Sequence, residues 1–196
     1  MAEVTVELIK KLKELSGAGL TDAKKALVEA KGDFDKALEA MRKKGLTKAE
    51  KRGDRETREG LVEAYIHDGR LGAIVEVNCE TSFVAKTEEF KTLAHQIAMQ
   101  IASMNPLYVS EADIPEADRK AKIKELEANF KGPENMKEKI IEGQVKKAFS
   151  DKVLMNQPYI LDDSKTVEQF IKEAIAKTGE NITVRQFKRI ELGVTE

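Results

Sequence analysis

Few of the residue types that perform covalent or metal chemistry occur in this 196-residue chain, which has two histidines, His67 and His95, and a single cysteine, Cys79. Neither histidine stands at metal-ligand spacing from a second soft ligand, so no zinc or iron cage can be assembled from them. A single thiol builds no disulfide framework. With Glu80 beside it disfavouring a thiolate, Cys79 reads as a small core residue at the end of a strand. Gly17-Ala18-Gly19 resembles part of a dinucleotide loop. It follows a helix rather than a strand, however, and Asp22 stands where the third glycine belongs, so a helix-to-helix turn fits better. There is no Walker loop, and acidic residues are spread too evenly for two of them to stand out as an acid and base. The chain reads as a protein without an active site, without a cofactor and without a resident metal.

The stretch from Arg42 to Arg58 carries Lys48, Lys51, Arg52 and Arg55 and could touch phosphates. Glu50, Asp54 and Glu56 are interleaved with these cations and no aromatic is present to stack on bases, so a solvated linker is expected and no direct nucleic-acid contact. The overall balance of 34 Lys and Arg against 35 Asp and Glu supplies no global field towards a polyanion. With 41% hydrophobic and 35% charged residues, the composition argues against disorder and against membrane insertion. The opening Met-Ala-Glu-Val-Thr lacks the apolar run of a signal peptide, and a reducing cytoplasm is the expected setting.

One short segment departs from the polar character expected of a turn. Glu80-Thr81-Ser82-Phe83-Val84-Ala85-Lys86 joins a strand to a helix and carries a phenylalanine and a valine. Spacing alone fits two placements. The ring stands out at the corner as an anchor for a partner's pocket, or Phe83 or Val84 tucks under the helix entrance as a staple.

The elements that would hold this corner follow from periodicity. Thr5 is a candidate cap for a helix burying Leu8, Ile9, Leu12 and Leu15. A second helix from Leu20 presents Ala23, Ala26, Leu27 and Ala30, and a third from Asp33 buries Phe34, Ala37, Leu38 and Met41 and ends before Gly45. Two strands, Leu61 to His67 and Leu71 to Cys79, are joined by Asp68-Gly69, a pair that tolerates positive φ in a tight hairpin. A helix capped by Thr87 carries Phe90, Leu93, Ala94, Ile97, Ala98, Ile101 and Met104 until Asn105-Pro106. A pair of charged helices then spans Pro115 to Phe149. A last helix begins at the Thr166-x-x-Gln169 box and ends at Gly179, and a closing strand places Ile182, Val184, Ile190 and Leu192 on one face, opposite Phe187. The fold class is α+β. It comprises a three-helix module over residues 1–45, a charged linker over 46–58, and a core over 59–196 of antiparallel sheet with helices packed on one side and a helical hairpin inserted around 115–150.

Leu12-Lys13-Glu14-Leu15-Ser16-Gly17-Ala18-Gly19-Leu20-Thr21-Asp22-Ala23-Lys24-Lys25-Ala26-Leu27 and Glu76-Val77-Asn78-Cys79-Glu80-Thr81-Ser82-Phe83-Val84-Ala85-Lys86 resemble the two signature segments of bacterial translation elongation factor Ts. The likeness continues through Asn105-Pro106 and Gln157-Pro158 to the terminal strand. It implies a guanine-nucleotide exchange factor for elongation factor Tu, with an N-terminal module similar to ubiquitin-associated domains. The family's Thr-Asp-Phe-Val motif, which disturbs the partner's Mg²⁺ and phosphate site, falls on Thr81, Ser82, Phe83 and Val84, with Ser82 in place of the aspartate. Its N-terminal contact surface falls on Leu20, Thr21 and Lys24. Longer members carry two related core halves, so a homodimer is expected here, with the terminal strand around Phe187 and Ile190 and the helical hairpin as candidate dimer surfaces. The rival readings are an RNA- or ribosome-associated binder and an unrecognised hydrolase.

Overall fold

A computed structural model of the chain describes residues 4–16 and 18–194. The architecture is α+β: helices alternate with a three-stranded antiparallel sheet of order β1 (Glu59–His67), β2 (Leu71–Cys79), β5 (Ile182–Glu191), and a small ribbon of β3 (Pro158–Tyr159) and β4 (Asp162–Thr166). The chain divides into two compact units: residues up to 62 with 76–94 and 169–184, and residues 63–75 with 95–168 and those from 185 onward.

In the first unit, α1 (Val6–Ser16), α2 (Leu20–Glu29) and α3 (Phe34–Glu50) pack against one another. Thr5 Oγ1 accepts from the Leu8 amide at 3.3 Å and starts α1, while Asp33 Oδ1 accepts from the Lys36 amide at 3.1 Å and starts α3. Leu12 and Leu27 are fully buried between Ile9, Ala23, Ala37 and Met41, and burying each contributes about 1.5–3 kcal/mol. Gly17, read as part of the first break, lies outside the described residues; Gly19, extended at φ −67° and ψ 152°, precedes α2.

Two expectations change here. Leu15 is not buried but 57% exposed, because the α1 stripe closes on α2 and α3 one turn earlier, through Ile9 and Leu12. Gly45 does not end the third helix, which continues to Glu50 through residues assigned above to the linker. A Cβ on Gly45 would lie 3.2 Å from the Cβ of Ala176 on α8 (Val167–Thr178), so the glycine admits a close helix contact rather than a cap. The remainder of that linker is tied down by Asn181, whose Nδ2 donates to the carbonyls of Gly53 at 3.2 Å and Arg55 at 2.8 Å.

In the second unit, Asp68 (φ 49°) and Gly69 (φ 65°) make the hairpin turn, closed by the Arg70 amide on the His67 carbonyl at 3.0 Å. Ala73 and Val75 are buried, whereas Ile66 and Ile74 on the opposite face are exposed. Helix α5 (Glu88–Met104) covers the inner side: its His95 meets Glu63 at 2.9 Å, and Arg189 Nε of β5 donates to the carbonyl of Ala102 at 3.0 Å. The β5 stripe is corrected accordingly. Ile182 and Val184 are buried, but two consecutive exposed residues, Arg185 and Gln186, shift the alternation. Phe187 and Arg189 thus become the half-buried residues, and Ile190 and Leu192 are exposed.

Helices α6 (Glu116–Ala128) and α7 (Lys137–Ser150) form the expected hairpin, its seam filled by Ile123, Leu126, Ile141, Val145 and Phe149. A buried amide pair, absent from the sequence reading, fixes the β3 region. Gln100 Nε2 donates to Gln157 Oε1 and to the Pro158 carbonyl, both at 3.1 Å. Gln157 Nε2 in turn donates to the carbonyls of Met104 at 3.1 Å and Asp151 at 2.7 Å.

Two stability measurements check this packing. Gly45→Leu lowers the unfolding free energy by about 1–3 kcal/mol because α8 leaves no room. Gly143→Ala on α7, where an added Cβ meets nothing within 4 Å, raises it by about 0.5–1 kcal/mol. A denaturant midpoint for Gly45→Leu at or above wild type would contradict the close approach. Burial, with the Glu180 carboxylate next in weight, pushes the Cys79 thiol up. The folded state therefore holds that proton more tightly, so the stability tied to it is complete below the ordinary thiol range and is lost as pH rises through it. The melting temperature should fall above pH of about 8.5 and Cys79→Ala should flatten that slope. A residual slope remains from Tyr159, whose hydroxyl is pushed up by burial and then by Asp162. Identical slopes for the two proteins would refute the assignment.

Candidate partner-binding site

The corner between β2 and α5 is a single helical turn, α4 (Ser82–Ala85). Its first residue is set by Thr81, extended at φ −129° and ψ 150°, whose Oγ1 accepts from the Val84 amide at 3.4 Å. Its far end is set by Thr87, whose hydroxyl donates to the Val84 carbonyl at 2.8 Å and accepts from the Phe90 amide at 3.2 Å, capping α5 as the sequence predicts. The cap of α4 therefore comes from Thr81 and not from Ser82, which is exposed.

The two placements left open by spacing are both occupied, by different residues. Val84 is buried at 7% exposure and pins the turn to the body, while Phe83 is 79% exposed. On a one-turn helix, adjacent side chains diverge by about 100°, so burying Val84 drives Phe83 outward. An apolar ring left this open is available to fill a partner's pocket.

A second corner, between α8 and β5, holds the first through a reciprocal exchange. Glu180 accepts from the Thr81 amide at 3.0 Å and from the Thr81 hydroxyl at 2.6 Å, and Glu80 accepts from the Asn181 amide at 2.6 Å. Each acidic side chain thus takes the backbone N–H of the residue following the other. Arg55 Nη1 reaches both Glu80 carboxylate oxygens at 3.4 Å. Gly179, at φ 80°, turns the chain off α8 so that Glu180 can face Thr81; the Glu180 amide donates to Thr178 Oγ1 at 3.3 Å. Sequence reading missed Glu180 and Asn181, because no local pattern links residues 99 and 101 positions away from their partners.

On the N-terminal helices, Leu20 is 54% exposed, Thr21 and Lys24 are exposed, and Val28 at 57% extends the same edge of α2 two turns on. These residues lie apart in sequence from the corner and are presented by a different element. The other candidates have ordinary surroundings. His95 pairs with Glu63, His67 Nδ1 lies 3.0 Å from the Tyr65 hydroxyl, and buried Cys79 donates its S–H to the Thr81 carbonyl at 3.2 Å. In the basic stretch, Lys44 pairs with Asp22, Arg55 with Glu80 and Arg58 with Glu56. Among the described residues, no three His, Cys, Asp or Glu side chains converge on a point that could hold a metal, and no helix is long and apolar enough to cross a membrane.

Residues 7–194 match the family model described as elongation factor TS. An elongation factor Ts of Thermotoga maritima is 53% identical over 194 residues, covering 97% of each chain. One from Rippkaea orientalis is 52% identical over 199 residues, covering 98% of this chain and 80% of its own, and one from Synechocystis is 50% identical, covering 98% and 91%. With the family model matched over residues 7–194 and relatives 50–53% identical over nearly the whole chain, the chain belongs to the elongation factor Ts family.

Proposed function

We propose that this protein is a guanine-nucleotide exchange factor that binds elongation factor Tu during translation elongation and drives GDP out by pressing Phe83 towards the partner's Mg²⁺ and phosphate site. The observation that carries the reading is a phenylalanine 79% exposed on a turn whose two ends are both tied down by hydrogen bonds. Family membership supplies the partner and the direction of the effect. The action is binding, not covalent chemistry, and its setting is the cytoplasm.

Ser82 stands where the family carries aspartate. Because Thr81 supplies the cap, the exchange of aspartate for serine leaves the turn intact and removes only a charge offered to the partner. Leu20, Thr21 and Lys24, with Val28 along the same edge, form the second contact. One wedge is not enough: loosening nucleotide affinity by about a thousandfold requires roughly 4 kcal/mol of coupling, whereas burying one phenylalanine yields about 1.5–3 kcal/mol. The coupling is reciprocal, so the factor holds the nucleotide-free partner more tightly by the same ratio, and incoming nucleotide releases it. The pairing of Lys44, Arg55 and Arg58 with carboxylates favours this reading over an RNA binder.

The protein acts as a homodimer, and its sheet supports one of the surfaces expected for it. Ile66 (71%), Ile74 (47%) and Ile190 (75%) are exposed on the face turned away from α5, an apolar patch of the kind that a second copy covers. Phe187 lies on the other side of β5, and the helical hairpin spends its apolar residues on its own seam, so neither adds to this surface.

Stopped-flow release of fluorescent GDP from elongation factor Tu tests the wedge. Phe83→Ala should slow stimulated release at least about tenfold, the cost of one lost buried ring, with the melting temperature kept, and Ser82→Asp should leave the rate unchanged or raise it. Full acceleration by Phe83→Ala would remove the mechanism. Light scattering at micromolar concentration should give twice the 21.9 kDa chain mass, reverting to a monomer in Ile190→Lys; a monomeric wild type would count against the dimer.

A further inference from the structure

We infer that Glu180 is a positioning residue for Phe83, acting through Thr81 to hold the ring at the angle that exchange requires; the inference rests on the exchange reading above. A hydroxyl has one proton to give and lone pairs to receive with. Thr81 Oγ1 gives its proton to Glu180 Oε1 at 2.6 Å, which leaves its lone pairs to accept from the Val84 amide at 3.4 Å. Glu180 Oε2 takes the Thr81 backbone N–H at 3.0 Å. The two contacts from one carboxylate fix both the Thr81 backbone and its χ1, and so the rotamer that caps α4.

The turn needs this support. A helix of four residues holds only a few backbone hydrogen bonds, among them the Ala85 amide on the Thr81 carbonyl at 3.2 Å, too few to repay its nucleation, so its ends set its shape. Its Thr87 end is fixed from within the same connection, and its Thr81 end depends on the corner at Glu180. Without the carboxylate the Thr81 hydroxyl is free to rotate, the cap on Val84 loosens, and Phe83 samples directions other than the bound one. Val84 keeps the turn attached while this happens, so the loss is one of aim and not of fold. Glu180 is oriented in turn by the left-handed Gly179 and by the Thr178 hydroxyl, which donates to the Ala174 carbonyl at 2.9 Å.

The test is a double-mutant cycle on the full chain, using release of fluorescent GDP from elongation factor Tu. Glu180→Ala should slow stimulated release about tenfold, the scale of losing a charge-assisted pair of hydrogen bonds, and should speed amide hydrogen exchange at Val84 and Ala85 in the free factor. In the Phe83→Ala background the same change should have no further effect on release, because nothing remains to be aimed. Glu180→Gln keeps the shape and one acceptor oxygen. It should fall between wild type and Glu180→Ala, and it stands in for that variant if the latter does not fold. An equal slowing by Glu180→Ala in both backgrounds, or unchanged release with Phe83 present, overturns the role given to Glu180 while leaving the wedge in place. If wild type and Phe83→Ala accelerate GDP release equally, the wedge falls, and the role of Glu180 falls with it.

Discussion

The reciprocal pairing of two acidic side chains with two backbone amides is the constraint on which the rest of the first unit turns. Glu180 takes the N–H of Thr81, and Glu80 takes the N–H of Asn181. Such amides at the ends of a strand and at the start of a one-turn helix have no ladder partner, and carboxylates meet them with hydrogen bonds stronger than neutral ones. The exchange joins two chain corners that would otherwise be independent loops. It also gathers in the segment after α3, since the same Asn181 side chain holds the Gly53 and Arg55 carbonyls, and Arg55 returns its guanidinium to Glu80.

From that lock follows a division of labour within one turn of helix. Val84 and Ala85 are buried and carry the attachment; Phe83 is left in water. Phe83 would gain burial only against a partner, which is the role proposed for it.

Much of the architecture was legible in the sequence because its signals are local. Period-3.6 stripes located α1, α2, α5 and α7. Thr5 and Thr87 marked helix starts, and Asp68-Gly69 marked the hairpin. The misreadings arose where a distant element overrides a local rule. Gly45 looks like a helix stop but is a point of close approach for Ala176; Leu15 continues the apolar stripe of α1 but finds no neighbour to cover it; and β5 changes phase at Arg185 and Gln186 so that Arg189 can reach the Ala102 carbonyl. The ribbon of β3 and β4 was invisible because its second strand, Asp-Asp-Ser-Lys-Thr, has no apolar alternation, and what fixes the adjoining chain is the buried Gln100–Gln157 pair.

The sequence by itself determined that one unusual corner, Thr81 to Val84, carries a large apolar residue where solvation would favour a polar one. It could not determine which of Phe83 and Val84 faces water, since both fit the spacing and the outcome depends on which side of a single turn meets the body. Only the tertiary structure decided that, by burying Val84 against the body while Glu180 and Asn181, 99 and 101 positions from their partners, hold the corner in place. Hydrogen bonds between groups so far apart leave no periodicity for a linear reading to detect, because the geometry that joins them exists only once α8 and the sheet have folded.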